Sequence, residues 1–128
     1  MNILIVDDDS CDVRFLQESL TDADDGSSRL VHAENISAAL QKIREERFDI
    51  ILLDFFLPGT QGIESLSRLR EQTPDVPIVF LTGLDDEDLG RQMIKDGAQG
   101  YIVKGQIEGM VLLRTLHDIT ARHQTQTS

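Results

Sequence analysis

The apolar residues of this chain change period again and again. Residues 2–6, 29–33, 49–53, 77–81 and 100–103 are short runs, all but the weaker second one rich in Ile, Leu and Val, and they lack the polar alternation of a sheet wetted on one face. Between and after them the spacing turns helical: Val13, Leu16 and Leu20; Ile36, Ala39, Leu40 and Ile43; Ile63, Leu66 and Leu69; Leu89, Met93 and Ile94; Leu112, Leu116 and Ile119. Strand and helix thus alternate five times. That order predicts an α/β fold with parallel strands, right-handed crossovers and helices on both faces of one sheet, a three-layer sandwich.

At 128 residues the chain is long enough for one domain with its own core. Residues 1–122 are expected to form it, and the polar residues 123–128 a frayed tail or linker stub. Ser10, Asn35 or Ser37, and Thr60 are placed to cap helices, Gly97 to end the fourth, and Pro74 and Pro77 to bracket the turn before the fourth strand. Residues 24–28 read as a mobile loop. A net charge of -11 repels phosphate backbones and anionic membranes, so neither nucleic acid nor a membrane is expected as a direct partner. Cys11 is the only cysteine, which fits a reducing compartment. The chain opens on a strand rather than a signal peptide, and no apolar run approaches the roughly 18 residues of a membrane span. The expected location is the cytoplasm.

If the runs are parallel strands, the residues at their carboxyl ends share one edge of the sheet. The first runs into Asp7-Asp8-Asp9, the third into Asp54, the fourth into Thr82-Gly83 and the fifth into Lys104. Open α/β sheets bind ligands at that edge. Carboxylates gathered there repel one another unless a cation joins them, and hard oxygen ligands suit Mg2+. Carboxylates, a hydroxyl, an ammonium and a metal together point to phosphoryl chemistry. Singly, each residue has an ordinary reading: an acidic helix cap for Asp7 and Asp8, a β-branched strand residue for Thr82, a surface lysine for Lys104. Placing all of them at strand ends is what favours the functional one.

The ordered set Val6-Asp7-Asp8, Leu53-Asp54 with Leu57-Pro58-Gly59, Leu81-Thr82-Gly83, and Gly97-Ala98 leading to Tyr101-Ile102-Val103-Lys104 resembles the receiver domain of bacterial two-component response regulators, including the chemotaxis-regulator-like ones. The resemblance covers nearly the whole chain. It implies a flavodoxin-like (βα)5 sandwich with a five-stranded parallel sheet of order 2-1-3-4-5. Asp54 becomes the phosphoacceptor, served by a histidine kinase or phosphotransfer protein. Asp8 is a direct Mg2+ ligand, with Asp7, Asp54 and the backbone carbonyl of Phe56 completing the metal set. Lys104, Thr82 and the N–H groups of Phe55 and Gly83 would meet the phosphoryl oxygens, and Thr82 with Tyr101 would form the switch. Output would pass through the face made by the fourth helix, fifth strand and fifth helix to an output domain or protein, with a homodimer as one form of that contact. The chain would then be a switch rather than a turnover enzyme.

Several residues depart from that pattern. Many relatives carry proline after the lysine, whereas Gly105 stands here, so a trans peptide and a reshaped loop are expected. Phe56 and Leu84, bulky and apolar, occupy positions that in this family govern how water reaches the phosphoryl group. Ile107, Met110 and Leu113 fall outside the core stripe of the last helix and read as a partner surface or, for Ile107 and Met110 equally, as residues that close the reshaped loop after Gly105. Asp9 reads as surface charge, and His32, His117 and His123 lack metal-ligand spacing. Two other classes compete. A haloacid-dehalogenase-like phosphatase would use Asp7 as nucleophile but needs a cap or a further acidic pair. A flavin module would need a Ser/Thr/Gly-rich phosphate loop after the first strand, which is missing.

Overall fold

The computed structural model describes residues 1–24, 26–105 and 108–127. Ile107, expected on the partner surface, lies outside the described residues, as do Asp25, Gln106 and Ser128. The elements run β1 (Asn2–Val6), α1 (Ser10–Asp24), β2 (Arg29–Ala33), α2 (Ile36–Glu45), β3 (Ile50–Asp54), α3 (Gly62–Gln72), β4 (Ile78–Thr82), α4 (Glu87–Lys95), β5 (Gly100–Val103) and α5 (Gly109–Thr127). The sheet is parallel throughout, in the order β2-β1-β3-β4-β5. This is the expected flavodoxin-like order, in which the direction of winding reverses between β1 and β3.

Two cores explain why the strands are continuously apolar. Leu4, Val6, Ile51, Leu53, Ile78 and Phe80 face α2, α3 and α4, while Ile3, Ile5, Ile50, Leu52, Val79 and Leu81 face α1 and α5. Both sets are excluded from solvent. The helical stripes behave as expected where they meet these cores, as with Leu16 and Leu20 or Leu112 and Leu116, but Ile63 and Ile94 are exposed. Each lies at the margin of its helix's stripe, where spacing alone does not separate core from rim. Leu113 also departs from expectation: it is half-buried against the α1/α5 core, which leaves Met110 and the neighbouring Val111 as the exposed apolar residues there.

Local details sharpen the boundaries. β3 and β4 each end one residue later than the apolar runs, so Asp54 and Thr82 are the last residues of their strands. Asp9, not Ser10, caps α1, its Oδ1 accepting the N–H of Cys11 at 2.9 Å and of Asp12 at 3.4 Å. Asn35 caps α2 by accepting from Ala38 N–H at 2.8 Å, whereas α3 follows Gln61 with no side-chain cap, and Asp86 caps α4. After α1 the Asp24 carboxylate accepts N–H bonds from Gly26 and Ser28. α5 stays helical through Thr127, and His123 Nε2 sits 2.7 Å from the Asp75 carbonyl oxygen. No described helix is long and apolar enough to cross a membrane.

α5 starts hard against α1. A Cβ on Gly109 would lie 2.4 Å from the Ser19 carbonyl oxygen, and backbone cannot yield as a side-chain tip can. Gly109→Ala should therefore lever the two helices apart and cost about 1–3 kcal/mol, the usual range for overpacking. A urea titration checks this by a lower midpoint at unchanged slope.

Candidate functional site

The sheet register builds the site as a staircase. Val6 pairs with Leu53, Asp54 with Leu81 and Thr82 with Val103, so Asp7, Asp54, Thr82 and Lys104 come to the same carboxyl edge. Lys104 N–H donates to the Thr82 carbonyl at 2.8 Å, which carries the ladder to its last step. The Lys104-Gly105 bond is trans, and Gly105 takes φ 80, a left-handed conformation in which glycine has no Cβ to strain.

Asp7 is fully buried. Its Oδ1 accepts the Asp9 N–H at 2.9 Å, and its Oδ2 faces Lys104 Nζ at 2.9 Å in an ion pair without hydrogen-bond alignment. Asp54, 5% exposed, accepts the Phe56 N–H on Oδ1 at 3.0 Å and has Oδ2 3.5 Å from the same Nζ. Asp8 is exposed beside them. Carboxylate oxygens of Asp7, Asp8 and Asp54 all lie within 4.8 Å of one another. That donor set, with a buried Asp7 oxygen lacking a hydrogen bond, fits a hard divalent cation such as Mg2+.

Electrostatics in the cluster are lopsided. Burial raises the Asp54 pKa and the Asp7 charge adds to it, only partly offset by the Phe56 N–H and by Lys104. Burial works against the Lys104 ammonium too, but the close Asp7 carboxylate, the hydrogen bond to Asp12 and the charge of Asp54 outweigh it, so Lys104 stays protonated well above its ordinary range.

Thr82 is buried, and its Oγ1 accepts the Leu84 N–H at 3.1 Å. Tyr101 lies away from the carboxylates, half-buried against the core under α4, with its ring over Gly90. Phe56 and Leu84 are about half exposed, at 51% and 52%. One expected contact changes. The Phe55 N–H is committed to the Leu81 carbonyl at 2.9 Å, because the ladder runs one residue past β3, so the backbone donor at Asp54 is Phe56.

Three participants escaped the sequence reading. Asp12, in the first turn of α1, accepts a hydrogen bond from Lys104 Nζ at 3.0 Å. His32 is no ordinary surface residue: its Nε2 lies 2.7 Å from the Asp7 carbonyl oxygen and holds the acidic loop from the edge strand. Gly90 seats Tyr101. Asp12 follows closely on the acidic run Asp7-Asp8-Asp9, and His32 sits on the weakest strand, so neither carried a pattern of its own.

A sequence profile of the response regulator receiver domain matches residues 3–117. This chain belongs to that family. Among curated relatives it is 40% identical over 104 residues to the phosphate regulon transcriptional regulatory protein PhoB of Pseudomonas aeruginosa, covering 80% of this chain and 44% of that protein. To the transcriptional regulatory protein ZraR of Klebsiella oxytoca it is 33% identical, covering 81% of this chain and 23% of the relative. The receiver thus spans less than half the length of either. A CheY-like receiver from Methanospirillum hungatei has the same fold, with a TM-score of 0.80 at 24% identity over 98% of this chain and 97% of that one. The phosphatase alternative finds no support: the profile that matches is that of the receiver domain, and the curated relatives are response regulators.

Because folding raises its pKa, ionised Asp54 subtracts from stability above that raised value. The penalty vanishes below the ordinary carboxylate range, where the group is protonated folded or unfolded. With a chelator present, Asp54→Asn should be the more stable protein at pH 7, and the difference should disappear on acidification. Urea titrations across pH measure it.

The Tyr101 seat gives a second test. A Cβ at position 90 would lie 2.3 Å from Tyr101 Cζ, so Gly90→Ala must turn the ring outward. Tyr101 is the only tyrosine and there is no tryptophan, so intrinsic fluorescence reports this ring alone. Quenching by acrylamide should become stronger in the variant.

Proposed function

We propose that Asp54 is the phosphoacceptor of this receiver, taking a phosphoryl group from a histidine of a kinase or phosphotransfer protein. The supporting observation is its carboxylate at the end of β3, one oxygen held by the Phe56 N–H and the other turned toward Lys104 Nζ at 3.5 Å. An Asp54 oxygen attacks phosphorus, the new P–O bond forms as the P–N bond to the donor imidazole breaks, and the bonding pair stays on the imidazole nitrogen. Phosphoryl transfer asks the protein chiefly to position groups and neutralise charge.

Mg2+, held by Asp7, Asp8 and Asp54 with the Phe56 backbone carbonyl, would neutralise charge on the phosphoryl oxygens. Lys104 supplies a second cation. Thr82 Oγ1 already accepts from Leu84, which leaves its O–H to donate to a phosphoryl oxygen. Movement of Thr82 would be felt at Tyr101 through β4 and β5, where Phe80 pairs with Tyr101 and Thr82 with Val103. The face of α4, β5 and α5, with Met110 and Val111 exposed on it, would then bind an output protein, an output domain elsewhere in a longer chain, or a second copy. In this reading the chain is a cytoplasmic switch and not a turnover enzyme, and its acidic charge keeps it from contacting nucleic acid directly.

Acetyl phosphate with Mg2+ should label one site per chain, and both a chelator and Asp54→Asn should abolish the label. Tyr101 fluorescence should change only when the label forms. Full labelling of Asp54→Asn would refute the assignment.

A further inference from the structure

We infer that Asp12 is a positioning residue that restrains Lys104 and thereby slows phosphorylation of Asp54, an inference that rests on the roles proposed above for those two residues. An ammonium has three N–H donors. Three carboxylates surround this one: Asp7 Oδ2 at 2.9 Å, Asp12 Oδ2 at 3.0 Å and Asp54 Oδ2 at 3.5 Å. Lys104 is therefore drawn more closely to the two acids that do not receive the phosphoryl group.

Those two acids are not equivalent. Asp7 is fully buried at the end of β1 and helps form the metal-fitting cluster. Asp12 lies outside that cluster, with a side chain 39% exposed, and it reaches Lys104 from the first turn of another element. Asp12 and Lys104 line a groove of about 370 Å³ that also includes Cys11, Phe15 and Leu16, so the Asp12 carboxylate can leave Lys104 without unpacking a core.

Two effects then act in one direction. A phosphoryl oxygen bound to Asp54 draws Lys104 toward it, and this lengthens or breaks the bond to Asp12. A third acid near the acceptor also repels the incoming dianion, a long-range effect weakened by salt. Asp12 therefore opposes phosphorylation twice, through the lysine it holds and through its own charge.

The test is labelling by acetyl phosphate with saturating Mg2+, over a range of donor concentration and ionic strength, in wild type, Asp12→Asn, Asp12→Glu and Asp54→Asn. Asp12→Asn should label about two to five times faster at low donor concentration, the range set by a partly exposed ion pair. Its half-saturating donor concentration should fall, and its advantage should shrink as salt is added. Asp12→Glu, which keeps the charge, should stay close to wild type. A merely structural Asp12 would shift urea midpoints but not this salt-dependent split. Labelling of Asp12→Asn at or below the wild-type rate overturns the inference, as does an Asp12→Glu protein as fast as Asp12→Asn. A label that persists in Asp54→Asn overturns both the inference and the acceptor assignment, whereas one lost there but unchanged by Asp12→Asn overturns the inference alone.

Discussion

One ammonium holds the functional edge of this protein together. Asp7 follows β1, Asp12 lies in α1 and Asp54 ends β3, yet all three carboxylates lie within 3.5 Å of Lys104 Nζ. Without that cation, carboxylates in so dry a setting would repel one another or take up protons. Even with it, burial first and the Asp7 charge second keep the Asp54 pKa raised, and three acids still face one ammonium. In the proposed function a divalent cation and a phosphoryl group would together change that balance, which would give a local chemical event leverage over the fold around it.

The leverage has a physical route. β4 and β5 are paired along their length, so Thr82 at the site and Tyr101 under α4 belong to one rigid ladder. Gly90 gives the Tyr101 ring a seat that any side chain would fill. In the proposed function that ring would move between two positions, in or out, because packed interiors resist continuous deformation. Receiver architecture thus separates the charge chemistry at the strand ends from the surface that α4, β5 and α5 present.

Much of this was legible because the relevant residues end apolar runs. Asp54, Thr82 and Lys104 stand where burial on both faces stops, and parallel order carries such positions to one edge. Other features were not legible for definite reasons. Ile63 and Ile94 obey helical spacing yet are exposed, since a stripe's width depends on what packs against it. Asp12 and His32 touch the site only because α1 and the edge strand β2 approach it in space. The Phe55 N–H is lost to Leu81 because the ladder extends two residues beyond the apolar run, one past the end of β3.

The sequence by itself determined the architecture and the identity of the central acids and lysine, because period, burial and strand ends are properties of spacing along the chain. Tertiary structure alone decided how closely that lysine approaches each of three carboxylates, which backbone N–H reaches Asp54, and that Tyr101 rests on Gly90. Those depend on distances of a few ångströms between elements remote in sequence. Spacing can bring such elements to the same edge, but only packing sets how closely they meet.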